Sequence, residues 1–289
     1  MSNQITAKII ADSISQSGIR LTTIETQAPK FIDAEFEKHR MLSSNSSSSR
    51  AIPFGPLKEM YTPEDIRKKQ KGMQGYEQIE IRDRGRFKFD IESYYDDLQV
   101  MLHEYENIIH KQHLNRYLEP WMLQKKIVTA TEWDNFFKLR LAKDAQPEIQ
   151  ELARCMKEAM DESTPEVLKP GEYHLPYINI FEELNVNNVG IENAIKCSIA
   201  RCARVSYNNH DGSQPDINKD IELYNFLLSS GHMSPFEHCL TPMKESHLTE
   251  SRLKAGKDWE RGTTHLDRDG RYWSGNARGW LQWRQIIEQ

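Results

Sequence analysis

Cysteine is scarce in this sequence. Four residues (Cys155, Cys197, Cys202, Cys239) in 289 are too few for a disulfide framework, and the one close pair is spaced CSIARC, not CxxC. Reduced thiols and no bound metal are therefore expected. Long apolar runs are missing as well: no stretch approaches the roughly 20 residues that span a bilayer, and the mean hydropathy is −0.73. The opening MSNQITAKIIADS lacks the basic, apolar and small-residue sections of a secretory signal, so a cytoplasmic location without membrane attachment is expected. There is no excess of positive charge. The 38 basic and 43 acidic side chains leave −5, which argues against direct nucleic-acid binding while leaving room for a basic pocket around one phosphate. What remains, 38% hydrophobic and 28% charged, is the composition of a globular protein of one large or two ordinary domains.

The β-branched run from Ile19 to Thr26 predicts a strand, followed after Pro29 by a helix through FIDAEFEKHR. SSNSSSS, residues 43 to 49, has the composition of a flexible linker. Residues 52 to 85, with their prolines, glycines and dense charge, read as an exposed excursion without a period. Tyr94, Leu98, Met101, Leu102, Tyr105, Ile108 and Ile109 recur at helical spacing, which predicts an amphipathic helix with these residues in the core. Ile149, Leu152, Ala153, Met156 and Met160 repeat the pattern behind Pro147. A helical segment ends near ARCARVSY, and a further helix, with Ile221, Tyr224 and Leu228 on one face, stops at Gly231. The mixture of strand and long helices predicts α+β.

Two segments carry chemistry. KHRMLSSNSSSSR packs cations, hydroxyls and an amide into thirteen residues, a group suited to an anion, with Arg50 able to make a bidentate contact. GHMSPFEH, residues 231 to 238, gathers His232, Ser234, Glu237 and His238 after a helix. Its HxxxxEH spacing does not match the paired-histidine zinc pattern, and Pro235 interrupts the helical face. A polar helix cap with Phe236 buried is the plain alternative.

Together these segments resemble the flavin-dependent thymidylate synthases. Lys38, His39, Arg40, Ser43, Asn45, Ser48 and Arg50 stand at the positions of that family's RHRxxSxNxxSxRY hallmark, with Lys38 for the first arginine and Ala51 for the tyrosine. Ala203 to Tyr207 (ARVSY) and Gly231 to His238 are similar to its ARVSY and GHxSPFEH segments. TEWDNFFKLRLAKDAQPEI is similar to its NFLxLRxxxxAQxEI helix, and Asn115 to Pro120 to the R-x-x-L-P step before it. The order differs from the family's, so the chain resembles a circular permutant, as in bacteriophage-type homologues; a host-cytoplasm location would follow if it is phage-encoded. ARGWLQWR, residues 277 to 284, looks like a degenerate second copy of the segment that contains Lys38 to Arg40. One permuted domain over 1–289 is therefore expected, with 52–90 as an insertion.

The resemblance implies an α+β fold with an antiparallel sheet and long helices. It implies C5 methylation of dUMP to dTMP, with FAD as cofactor, methylenetetrahydrofolate and NADPH as cosubstrates, and a homotetramer with shared sites. Carried over residue by residue, Ser48, Arg50 and Arg116 hold the nucleotide phosphate, Arg140 faces and polarises the pyrimidine, and His232 lies beside flavin and carbon donor. Lys38, His39, Arg40, Asn135, Ser206, Ser234 and Glu237 contact FAD. Thr129 and Thr131 occupy the place of an Asn-x-Arg pair and Asp144 that of a flavin-contacting histidine; Asn276 and Arg278 are candidates to replace the lost contacts. Glu35 stands where glutamine is common, and a carboxylate there suits the exocyclic amine of cytosine. A dCMP or dUMP hydroxymethylase is therefore one alternative, and a catalytically lapsed nucleotide or flavin binder another.

Overall fold

The computed structural model describes residues 4–47, 54, 60–70, 73–178, 190–205, 216–247 and 259–288. Its centre is a five-stranded sheet in the order β3-β6-β2-β1-β7. β1 (Thr6–Ser15) and β2 (Arg20–Pro29) form an antiparallel hairpin with a bulge between Ile9 and Ala11. β6 (Leu123–Ala130) pairs antiparallel with β2 on one side and with β3 (Ser43–Ser46) on the other. β7 (Glu166–Leu168) closes the far edge and runs parallel to β1. The expected strand at Ile19 to Thr26 is thus β2, and the expected helix after Pro29 shortens to a 3-10 turn (Lys30–Ile32) and α1 (Asp33–Phe36).

Alternation along the strands gives the sheet two different faces. One buries Ile24, Ala28 and Val128 under α5 (Pro147–Glu162), whose Ile149, Leu152, Ala153, Met156 and Met160 all lie in this core as their period predicts. α4 (Asp134–Arg140) adds Phe136 and Phe137. The other face receives the later part of the chain: α6 (Ile191–Arg204), α7 (Ile217–Ser229) and a 3-10 turn at Ser234–His238. β8 (Leu240–Pro242) follows this turn and pairs with β12 (Trp280–Gln282), while β9 (His265–Leu266), β10 (Tyr272–Ser274) and β11 (Ala277–Arg278) form a small sheet. α8 (Trp283–Glu288) comes last. Trp280, fully buried with Ile19, Leu21 and Leu240, donates its indole N–H to the Ile19 carbonyl and ties this part to the β1–β2 hairpin.

Four expectations need correction. The serine run is not a linker where it is described: Ser43 to Ser46 pair with Lys126 to Thr129, because an edge position lets hydroxyl side chains point off the sheet. Residues 67–78 of the expected excursion form a hairpin of β4 (Arg67–Gln70) and β5 (Met73–Gln78), and α2 (Ile81–His103) begins before Gly85. On and just after α2, only Leu102 of the seven expected core residues is buried; Leu98 is half-buried and Tyr94, Met101, Tyr105, Ile108 and Ile109 are exposed. α3 (Lys111–Leu118) packs beside it through Leu114 and Leu118. On α7 the inward residues are Tyr224 and Leu227, and Leu228 is exposed.

Candidate active site

Two stretches separated by 194 positions meet at the start of β3, where Ser43 Oγ lies 2.7 Å from Glu237 Oε2. Asn276 Oδ1 is 3.0 Å from the same hydroxyl, which has one proton to share between them. Gln282 Nε2 donates to Asn276 Oδ1 at 2.8 Å, and Arg284 donates to the other Glu237 oxygen at 2.7 Å. The C-terminal segment therefore meets the first motif directly; Asn276 Nδ2 also reaches the Arg40 carbonyl at 3.4 Å. Ala277–Arg278 and Trp280–Gln282 are extended, whereas Asp33–Phe36, in the segment they resemble, is helical.

Opposite Ser43 in register is Thr129, and behind it runs a chain of buried polar groups. Thr129 Oγ1 lies 2.8 Å from His238 Nδ1 and 2.7 Å from Thr23 Oγ1; Thr23 Oγ1 is 2.7 Å from His174 Nε2, whose Nδ1 is 2.8 Å from Ser13 Oγ. Burial pushes both imidazoles down to about 3, with His174 adding to the effect on His238, so both are neutral at physiological pH. Two buried nitrogens on this side, Asn45 Nδ2 and His238 Nε2, have no partner among the described residues. Unsatisfied buried donors or acceptors of this kind are rare in native folds, and a bound polar group would satisfy them.

A second constellation surrounds Arg140 at the end of α4. Its Nε donates to His39 Nε2 at 2.8 Å, its NH1 meets Glu35 Oε2 at 2.9 Å and its NH2 the Glu35 carbonyl at 3.2 Å. Lys38 holds the other Glu35 oxygen at 2.6 Å. Lys38, then Arg140, keeps the Glu35 carboxyl below its ordinary value, while burial, then the charge of Arg140, keeps His39 below its own. An ionised carboxylate and a neutral imidazole thus fix one guanidinium, with the His39 lone pair directed at it. Glu35 is therefore not a freely solvated helix residue.

Next to His39 of this constellation lies a cleft of about 480 Å³, lined by Lys38, His39 and Arg40, by Asn135, Phe136 and Trp273, and by the carboxylates Glu132 and Asp134. Arg278 borders it, its backbone N–H on Thr131 Oγ1 at 3.0 Å and its Nε on Glu132 at 2.5 Å. Exposed cations beside aromatic walls, in a volume of ligand size, fit a group with phosphates and a planar ring, as FAD has. A larger cleft of about 670 Å³ near Tyr61 carries Glu64, Asp65, Glu148 and Glu151 beside Arg84 and Arg154, and meets the motif segments only through Leu141, Pro147 and Glu148. Four carboxylates against two arginines suit an anionic nucleotide less well than the smaller cleft, where Lys38 and Arg40 balance Glu132 and Asp134 and Arg278 pairs with Glu132, so the smaller cleft is the candidate.

The predicted residues do not all converge. Glu35, Lys38, His39, Arg40, Asn135 and Arg140 gather about the smaller cleft, and Glu237 joins through Ser43. Ser234 is exposed at the start of its turn. His232 is exposed at the end of α7, with Nδ1 2.8 Å from Ser230 Oγ and its ring over Phe226, and is not bonded to the Ser43 cluster. Arg116 is exposed on α3, and Asp144 is exposed before α5. Ser48, Arg50 and Ser206 lie outside the described residues. Sequence reasoning assigned no role to Ser43, Gln282, His174 or His238. His238 ends the SPFEH motif and Ser43 stands in the first, so both had a signal; His174 had none.

Residues 20–166 match the family described as Thy1, thymidylate synthase complementing protein. Among solved structures, the chain is similar to the crystal structure of a UMP/dUMP methylase, PolB from Streptomyces cacaoi, bound with 5-Br UMP. The identity is 17% and the TM-score 0.47, over 55% of this chain and 89% of that one. None of the curated proteins compared matches the chain.

Proposed function

From the premise that the chain belongs to the thymidylate synthase complementing family, and is therefore an enzyme of the methyltransferase type, we propose that it transfers a one-carbon unit to C5 of a deoxypyrimidine monophosphate. The leading reaction is dUMP to dTMP, with methylenetetrahydrofolate as carbon donor and NADPH as reductant of FAD. The observation that carries the reading is the 2.7 Å contact between Ser43 and Glu237, which joins the two resembling motifs in one site although their order in the chain is inverted. One permuted unit whose early and late segments share a site accounts for that inversion.

Lys38, Arg40 and Asn135 would hold FAD in the cleft, with His39 at its wall and Ser206, Ser234 and Glu237 completing its contacts. When bound and reduced, FAD supplies a hydride. Arg140, fixed by Glu35 and neutral His39, offers its guanidinium to the pyrimidine, where it would stabilise the negative charge that builds on the ring oxygen as C5 becomes nucleophilic. Ser48, Arg50 and Arg116 would take the phosphate, and His232 would stand beside the carbon donor. A homotetramer with shared sites fits the exposed position of Arg116, which one chain does not carry to the cleft.

The Glu35 carboxylate favours a second reading. Held ionised next to Arg140, it would accept from cytosine N4, which points to dCMP and, if water captures the methylene adduct in place of hydride, to a hydroxymethyl product. The test is one preparation. The purified protein is expected to carry or take up FAD, seen as flavin absorbance, and to release tritium from 5-³H-dUMP, or from 5-³H-dCMP on the second reading. Mass spectrometry of the nucleotide then separates methyl from hydroxymethyl. A protein that binds no FAD and releases no tritium from either nucleotide is the catalytically lapsed homologue, and overturns the reading.

A further inference from the structure

Residues 274–284 (SGNARGWLQWR) have no assigned part in the reaction, yet the fold gives them a definite place. β12 lies antiparallel to β8 with Gln282 opposite Leu240, and the Trp283 N–H continues the ladder to the Cys239 carbonyl at 2.9 Å. Each further residue of the C-terminal segment therefore moves back along the SPFEH turn. Arg284 arrives at Glu237, its NH1 2.7 Å from Oε1. Gln282 is 2% exposed, with its amide nitrogen 2.8 Å from Asn276 Oδ1 and 3.4 Å from Ser43 Oγ. The turn before it is shaped for that amide: Gly275 has a φ of 56°, and a Cβ there would come within 2.3 Å of Gln282 Oε1.

Proton counting separates the roles of these groups. Ser43 has one proton, and two acceptors lie within its reach, Glu237 Oε2 at 2.7 Å and Asn276 Oδ1 at 3.0 Å. Gln282 gives one N–H to Asn276 Oδ1 and turns the other towards Ser43 Oγ. The Ser43 proton is thus left to Glu237. Arg284 takes the second carboxylate oxygen. Both oxygens are then fixed by groups that donate, and each keeps a further lone pair. The Glu237 side chain is 20% exposed, so this oriented acceptor stays open to a ligand hydroxyl or ring N–H, groups that FAD carries. Neither Gln282 nor Arg284 lines the cleft of Lys38 and Arg40, so both act through Ser43 and Glu237.

We infer that Gln282 and Arg284 are positioning residues that hold the Glu237 carboxylate as an oriented acceptor of the active site. The C-terminal segment is then a third working part of that site, not an idle copy of the segment that contains Lys38 to Arg40. The inference rests on the reading that Glu237 contacts FAD.

Its test is a titration of the full chain with FAD, read by flavin fluorescence, in a cycle of parent, Arg284→Ala, Glu237→Ala and the double variant. Arg284→Ala is expected to raise the dissociation constant at least about 10-fold, the weight of a hydrogen bond to a charged group. With Glu237 already absent the same change should cost less than about 2-fold, because the arginine acts only through that carboxylate. An arginine that merely stiffened the chain would weaken binding equally in both backgrounds. Because truncation could unfold the C-terminal segment, a second arm uses side chains of similar length. Arg284→Lys keeps the cation and should stay within about 3-fold of the parent, whereas Arg284→Met keeps only the stem and should match the alanine loss. Gln282→Leu, which removes the donor, should also weaken binding, and Arg154→Ala, which breaks two surface ion pairs of α5, should not. A parent that binds no FAD overturns the functional reading and this inference with it. A parent that binds FAD overturns the inference alone if Arg284→Met and Gln282→Leu bind as tightly as the parent, or if Arg284→Ala costs as much without Glu237 as with it.

Discussion

Arg140 uses all three of its guanidinium nitrogens on α1 and the turn after it, two on Glu35 and one on His39. Such a side chain is held rigidly, and a held donor loses little entropy when it meets a developing charge. Arg140→Ala is accordingly expected to lower kcat/KM at least about 100-fold, in line with the loss of one preorganised donor. Flavin uptake and the unfolding transition should change little, because the residue is partly exposed and its partners regain water. The check is steady-state tritium release beside flavin titration of the same preparation; near-parental kcat/KM would remove Arg140 from the chemistry. Glu35→Gln keeps the shape and removes the charge, so it should shift any dCMP preference towards dUMP, measured as the ratio of the two kcat/KM values. The Arg140 pairing was not legible in the sequence. Glu35 and Arg140 stand 105 positions apart, and only the packing of α1 against α4 brings them together.

The element scale shows what periodicity reports. In α5 every residue of the apolar period is buried, because a sheet lies against that whole face. In α2 the same period is real but much of its stripe stays exposed, Tyr94 being 59% exposed with its ring 6.0 Å from that of Trp121, since a pattern in one segment states that a face is apolar and not what covers it. β3 was hidden for the opposite reason: four residues of serine and asparagine become a strand only through β6, some 80 positions later. α6 and α7 are joined by a device that composition also conceals. Asp220, fully buried, accepts from Arg201 Nε at 2.9 Å and from Arg204, at the point where Val205 ends α6 with φ of 49°. A β-branched residue in the left-handed region is held there against its preference by what surrounds it. Asp220→Asn leaves these guanidinium groups without their carboxylate and is expected to cost about 3 to 5 kcal/mol. Urea unfolding measures this as a lower midpoint; a cost below about 1 kcal/mol would show that the two helices are held by their apolar contacts alone.

At the scale of the whole molecule, the early and late parts of the chain meet across one face of the central sheet, and the buried chain of Ser13, His174, Thr23, Thr129 and His238 crosses that junction. Its histidines couple the junction to pH. In the unfolded chain each takes up a proton near 6.5, but in the folded chain burial delays this to about 3. Between those values the unfolded state binds up to about two more protons than the folded state, so stability must fall as pH falls. The histidine contribution is complete above about pH 6.5 and is lost progressively on the way to 3. Glu148, raised by burial, works in the opposite sense, but it is one group against two histidines, so the histidines set the sign from pH 7 to pH 5. Glu35, lowered by Lys38 and Arg140, adds a loss of the same sign in more acidic solution. Urea unfolding at pH 7, 6 and 5 should therefore give successively lower free energies, with His238→Gln showing a shallower slope than the parent. A parent whose stability stays level or rises between pH 7 and pH 5 would mean that the imidazoles are charged in the fold, and the polar chain across the junction would have to be redrawn with a carboxylate beside it.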